Sequence, residues 1–382
     1  MTNTVHEPSE QALIQLLTPE GERRSHAEYD NYIQDVDAEM LRGFYRDMAL
    51  TRRFDQEATA LQRQGQLALW VPLRGQEAAQ IGSGRATRPS DYIFPTYREH
   101  GVALTRNVDF PQMLRIFRGI SNGGWDPREN NFHMYTMVLA AQMPHATGYA
   151  MGIQRDQAGW DAERLEKDGE AVVAYFGDGS STEGEVHESM VFAASFNSPV
   201  VFFCQNNQWA ISVPFHVQSK VPLAERAAGY GFPGIRVDGN DVLAVLAVTR
   251  WALERARRGE GPVLIEAVTY RMSAHTTADD PTKYRLDADE EAWVGRDPLA
   301  RLEKHLRDND LADELFFKQV AVDGDEMATR VRVEAMAFPD PELAQSFANV
   351  YAEAHPLIQE ELKWHLEYEA GFADTTEEGA TR

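Results

Sequence analysis

AVVAYFGDGSSTEGEVHESMVFAASFNSPVVFFCQNNQW, residues 171–209, decides the fold class. Residues 171–176, AVVAYF, are apolar without alternation, the pattern of a strand buried on both faces. Residues 184–197 place Val186, Met190, Ala193, Ala194 and Phe196 on or near one helical face. Residues 199–205, PVVFFCQ, form a second continuous apolar strand. Strand, helix and strand in that order predict a parallel pair joined by a helical crossover. The expected fold class is therefore α/β: a mostly parallel sheet with helices on both faces.

Outward from this unit, Met40, Leu41, Phe44, Tyr45, Met48, Ala49 and Leu50 recur at helical spacing within residues 37–64. Residues 74–87 read as a glycine-started helix, 91–101 as a short strand running into a polar loop, and 109–120 as a further helix. Residues 119–133 are a Gly- and Asn-rich loop, 140–154 a helix of small residues, and 159–170 a charged, solvated excursion. A helix over 241–258 and a buried strand over 262–271 follow, then a long polar loop of functional character over 272–292. The chain divides into an N-terminal arm (1–37) available to pack on a partner, an α/β domain (38–292) and a charged helical C-terminal region (293–382) with an acidic tail.

The 382 residues, 43% of them hydrophobic, suffice for a large packed core. Lys and Arg total 37 against 60 Asp and Glu, a formal net charge of -23. Such a mean field repels phosphate polymers, so neither nucleic acid nor an anionic membrane is expected as a partner. The single cysteine, Cys204, excludes an internal disulfide and reads as a small buried residue of the second strand. No apolar run approaches the ~20 residues that span a bilayer. The polar, partly acidic start is unlike a secretory signal or an Arg-rich transit peptide, so a soluble cytoplasmic protein is expected.

Asp178 lies between Gly177 and Gly179 at the end of the first strand, where open α/β sheets bind ligands. The glycines permit close backbone approach, and free N–H groups at the following helix suit a phosphate. A carboxylate there repels phosphate unless a cation lies between, so Asp178 reads as a Mg²⁺ ligand. Alone, Gly-Asp-Gly is more often a turn. The second strand ends in Asn206 and Asn207. In a parallel pair the two ends are neighbours, so Asn207 offers a neutral oxygen to the same cation and a nearby carbonyl, that of Trp209, a third. The plain alternative is an Asn-Asn turn.

Gly-Asp-Gly followed at this distance by Asn-Asn matches the thiamine-diphosphate motif. More narrowly, the chain resembles the alpha subunit of the decarboxylating component of 2-oxo acid dehydrogenase complexes. The segments that carry the likeness are RGQEAAQIGSG (74–84), FPTYREHG (94–101), AAQMPHATG (140–148), the 177–207 pair, RVDGNDVLAV (236–245) and YRMSAHTTADDPTKYR (270–285). The resemblance implies a thiamine-diphosphate-binding fold in which Asp178, Asn207 and the Trp209 carbonyl hold Mg²⁺. Tyr97 and Arg98 would hold the diphosphate, with Gly179 and Ser180 contacting it. Leu139, with Met137, would cup the aminopyrimidine ring. His275 matches the active-site histidine, placed to hydrogen-bond the diphosphate or to handle a proton. Thr276 stands where some relatives carry a regulatory phosphoserine.

There are departures from the family pattern. Gln205 replaces an arginine that in certain relatives reaches the diphosphate, so one positive contact of that cofactor site is missing. MVLAAQ, 137–142, lacks the pattern that helps form a potassium site, and no potassium is expected. His133, His145 and His187 read as structural histidines.

The implied activity is oxidative decarboxylation of a 2-oxo acid, with acyl transfer to a lipoyl group of the acyltransferase core. The implied partner is a beta subunit, two of each chain forming a heterotetramer, and the beta subunit supplies the glutamate that activates the cofactor. NNQWAIS (206–212) and VDGNDVLAV (237–245) favour branched-chain 2-oxo acids such as 3-methyl-2-oxobutanoate, with pyruvate second and acetoin third. Two readings of other classes compete. A non-catalytic regulatory subunit of the same fold would not need Asp178, Asn207, Arg98 and His275 together. A Mg²⁺-dependent phosphohydrolase would need further acids at strand ends and would give NNQWAIS no role.

Overall fold

A computed structural model describes residues 13–372. Five strands form one sheet: β1 (Tyr92–Phe94), β2 (Val172–Gly177), β3 (Val200–Asn206), β4 (Gly234–Asp238) and β5 (Val263–Val268). Their spatial order is β1-β2-β3-β5-β4, and every pairing is parallel. Val172 is in register with Val200 and Gly177 with Gln205, so the glycine hinge and the Asn-Asn turn leave the sheet side by side.

Because strand side chains alternate between faces, each strand feeds two cores. On one face Val172, Ala174, Phe176, Val200, Phe202 and Cys204 pack with helices α5 (Gln142–Asp156) and α6 (Gly184–Phe196). The opposite face carries the buried Val173, Tyr175, Val201 and Phe203 beneath α2 (Glu77–Ala86) and α7 (Val242–Arg257). There the Tyr175 hydroxyl donates to Ser83 Oγ of α2 at 2.8 Å. The architecture is the α/β fold read from residues 171–209. Helices α1 (Ala38–Arg63), α3 (His100–Thr105), α4 (Phe110–Phe117), α8 (Asp287–Val294), α9 (Pro298–Asp308) and α10 (Glu314–Ala337) complete the larger part of the chain.

Several elements differ from expectation. Residues 13–36 of the arm pack on their own chain: Ile14 bridges Val237 of β4 in parallel, and Leu16 and Leu17 are fully buried. Residues 1–12 lie outside the described residues. The polar loop after β1 turns at once into α3, because Thr96 N and Oγ1 donate to Glu99 Oε2 at 2.5 and 2.6 Å and tighten the turn. The charged excursion contains a short helix, Ala162–Asp168, capped by the Asp161 side chain. The last residues of the 272–292 loop are helical in α8.

By internal contacts the chain divides into residues up to Met336 and residues from Ala337 onward. The second unit contains Gln345–Ala348 and Pro356–Ala370, and the latter buries none of its side chains. No helix among the described residues is long and apolar enough to cross a membrane.

Candidate active site

At the C-terminal ends of β2 and β3 lies a cavity of about 280 Å³. It gathers Tyr97, Arg98, Leu139, Asp178, Gly179, Ser180, Gln205, Asn207, Trp209 and His275, residues the sequence singled out from five separate segments. Met137 is half exposed and does not line it. His145 is exposed, His133 stacks on Phe94, and His187 pairs with the Tyr230 hydroxyl, so none of the three reaches the cavity.

Asp178 is buried at the floor. Its Oδ1 accepts from Asn207 N at 3.2 Å and its Oδ2 from Gln218 Nε2 at 3.0 Å. No cationic side chain among the described residues forms an ion pair with it. Burial pushes its carboxyl up to about 6, partly offset by those hydrogen bonds. Gly179 is required sterically, since a Cβ there would sit 2.9 Å from the Ala210 Cβ. The described residues hold no group of three or more His, Cys, Asp or Glu placed to bind a metal ion by themselves. A cation here would take its oxygens from one carboxylate, an amide, a carbonyl and the ligand itself, which is how Mg²⁺ is usually held beside phosphates.

Two buried guanidiniums meet at His275: that of Arg98, which lines the cavity, and that of Arg271, which does not. Arg98 donates to the carbonyls of Pro72 and His275 and approaches His275 Nδ1 at 3.3 Å. Arg271 approaches the same Nδ1 at 3.1 Å and donates to Ile211 O at 2.7 Å and Tyr284 Oη at 2.9 Å. Neither forms an ion pair with a carboxylate among the described residues. Burial, reinforced by Arg98, lowers Arg271 to about 10.

Arginine only donates, so His275 Nδ1 must accept, and the proton of the neutral ring sits on Nε2. Burial first, then Arg98 and Arg271, hold the His275 pKa down at about 3. Its backbone N–H donates to Asp279 Oδ2 at 2.8 Å, and the Tyr284 hydroxyl donates to the same oxygen. The 272–292 loop is thereby tied to the Asn-Asn turn through Arg271.

Gln205 is committed inward. Its Nε2 donates to Glu99 Oε1 and its Oε1 accepts from Gln80 Nε2 at 3.1 Å. It forms wall, and no arginine takes its place. Three residues with left-handed backbone lie in the surrounding loops: Ala140 (φ 64), Gln208 (φ 73) and Ile211 (φ 53). Such strain concentrates at functional sites.

Comparison with known proteins agrees with this geometry. Residues 45–336 match the model of the dehydrogenase E1 component family. The chain belongs to that family. It is 43% identical over 351 residues, 91% of each chain, to the 3-methyl-2-oxobutanoate dehydrogenase subunit alpha of Mycobacterium tuberculosis. It is 36% identical over 339 residues to the pyruvate dehydrogenase E1 component subunit alpha of Acholeplasma laidlawii, covering 87% of this chain and 94% of that one. The Staphylococcus aureus protein of the same name is 36% identical over 306 residues, 79% of this chain and 78% of its own. Within this dehydrogenase E1 component, Gln76 lines the cavity and Arg271 contacts His275, which lines it, and the sequence reading singled out neither. Arg271 stood inside a quoted segment, but its burial without an acid is a three-dimensional property.

Proposed function

We propose that this chain is the alpha subunit of a branched-chain 2-oxo acid dehydrogenase and that it binds thiamine diphosphate with Mg²⁺. One observation carries the cofactor reading. The buried guanidinium of Arg98 and the buried carboxylate of Asp178 line one cavity, neither in an ion pair among the described residues. Isolated buried charges are costly. A diphosphate with a divalent cation offsets both at once, and the family implies thiamine diphosphate.

In this reading Asp178, Asn207 and the Trp209 carbonyl hold the cation. Arg98 and Tyr97 bind the diphosphate from the wall, and Gly179 and Ser180 contact it from the turn before α6. Leu139 supports the aromatic part of the cofactor. Thiamine diphosphate supplies the electron sink for loss of CO₂ from the 2-oxo acid. His275 donates a proton or hydrogen bond from Nε2, held in that tautomer by Arg98 and Arg271.

The substrate reading, 3-methyl-2-oxobutanoate, rests on the relative at 43% identity. Pyruvate is the second reading, supported by the relatives at 36%. The relatives' names as alpha subunits support a beta partner; the heterotetramer and acyl transfer to a lipoyl-bearing acyltransferase core follow from the family resemblance. The test is calorimetric titration of thiamine diphosphate into the chain co-expressed with its beta partner. Wild type is expected to bind only with Mg²⁺ present, and Asp178→Ala to abolish binding. Unchanged binding in the variant would sink the metal assignment. Comparing kcat/KM for 3-methyl-2-oxobutanoate and pyruvate decides between the substrates.

A further inference from the structure

Gln76 immediately precedes α2 and is fully buried. It lines the cavity with Asp178 and Asn207. Its place is fixed by the preceding glycine: Gly75 has φ +98, and a Cβ there would meet the Tyr270 carbonyl oxygen at 2.3 Å. The orientation of its amide follows from a chain of obligatory donors. Trp209 N–H can only donate, and it points at Asn207 Oδ1 at 3.3 Å. The other end of the Asn207 amide, Nδ2, therefore donates to Gln76 Oε1 at 3.2 Å. Turning the Gln76 amide over would set two NH₂ groups against each other. Gln76 Nε2 is thus left as the free end, buried and without a hydrogen-bond partner. An unpaired buried donor costs about 1–3 kcal/mol, and native structures rarely leave one without reason.

We propose that Gln76 is a positioning residue for the cofactor–metal assembly. Its Oε1 holds the Asn207 amide so that Oδ1 is presented to the cation. Its Nε2 donates to an oxygen brought by that assembly, a diphosphate oxygen or a metal-bound water. This rests on the thiamine-diphosphate reading above.

Two variants separate the two ends of the amide. Gln76→Leu removes both functions. Gln76→Glu, nearly isosteric, keeps an acceptor for Asn207 Nδ2 but loses the donor and adds a negative charge facing the diphosphate. The heterotetramer is titrated with Mg²⁺ at saturating thiamine diphosphate, and with thiamine diphosphate at saturating Mg²⁺. Gln76→Leu is expected to weaken Mg²⁺ binding by about 10–100-fold, the usual loss when a residue supporting a metal ligand is removed. Gln76→Glu is expected to spare Mg²⁺ binding while lowering thiamine diphosphate affinity by about 10-fold or more. Merely structural damage would move both affinities together in Gln76→Glu as well and lower the melting temperature of the cofactor-free complex in both variants. That outcome, or wild-type affinities in both variants, overturns the proposal. If Gln76→Leu does not fold, Gln76→Glu alone decides. A wild-type heterotetramer that binds no thiamine diphosphate overturns the functional reading and this inference with it, whereas wild-type binding with unaffected variants overturns this inference alone.

Discussion

With Arg98 and Arg271 both donating to Nδ1, the His275 ring is neutral in the cofactor-free protein well below neutral pH, since its pKa is held at about 3. Removing one of its positive neighbours must raise that pKa. Arg271→Met is therefore expected to move His275 ionisation to higher pH, visible by NMR of histidine-labelled protein. His275→Ala is expected to lower kcat by about 10²–10⁴-fold, the range for a positioned acid or base, while thiamine diphosphate still binds. Full turnover would refute a catalytic role. A second buried acid supplies a stability test away from the site. Asp55 accepts from Trp70 Nε1 at 2.8 Å and Leu73 N at 3.2 Å, and burial, with Glu77 adding to it, pushes its pKa from 3.8 to about 7. A folded pKa above the unfolded one stabilises fully below the unfolded value, and the contribution is lost as pH rises towards 7. The loss is on the order of 4 kcal/mol. Asp55→Asn keeps the Oδ1 acceptor without the ionisation. Its melting temperature relative to wild type is expected to climb between about pH 4 and about pH 7 and then level off; a constant difference would refute the raised pKa. Asp178 and Asn207 were legible in the sequence because their residue types sit at adjacent strand ends, whereas Arg98 and His275 were assigned through the family resemblance. Arg271 and Gln76 were not legible, because what distinguishes them is burial of Arg271 without an acid and of Gln76 with one end of its amide unpaired, which no local pattern encodes.

At the scale of elements, one side chain joins distant parts of the chain. Asp241 Oδ1 caps α7 by accepting from Leu243 N and Ala244 N, each at 3.0 Å. Its Oδ2 accepts from Leu16 N and Leu17 N, each at 2.6 Å. Asp241→Ala removes a cap worth ~1 kcal/mol and leaves two buried arm N–H groups unpaired at about 1–3 kcal/mol each, for a total of about 3–7 kcal/mol. Urea unfolding is expected to register that loss, and limited proteolysis to cut within residues 18–36 of the variant before the body. Equal cleavage of wild type would show that the arm is anchored elsewhere. The β2–α6–β3 unit was readable because both strands are continuous apolar runs. Strand β4, GIRVD, was not: it is short, begins with exposed Gly234 and carries Arg236, and its outer partner is Ile14 at the other end of the sequence. The turn into α3 was hidden for a related reason, since Glu99 acts there as an internal acceptor rather than as a solvated loop charge.

At the scale of the whole molecule, a chain of net charge -23 keeps large apolar side chains on view. On α6, which starts just after the Asp178 turn, Val191, Phe192 and Phe196 are about half exposed, and the two phenylalanine rings stack at 6.1 Å. Exposed aromatic surface on an otherwise acidic protein marks a face that another molecule covers. The alpha-subunit names of its relatives make a beta chain the expected cover. Because neither Phe192 nor Phe196 is in the core, the double substitution Phe192→Asp and Phe196→Asp should leave the fold and its melting temperature close to wild type. It adds two charges where a desolvated contact would form, and an uncompensated buried charge costs several kcal/mol. Co-expressed with the beta subunit, the double variant is expected to elute as separate chains in size-exclusion chromatography with light scattering, where wild type gives the heterotetramer. A heterotetramer of unchanged mass would exclude this face of α6 from the contact and leave the apolar 211–221 segment, with Ile211, Val213, Val217 and Val221 exposed, as the next surface to test.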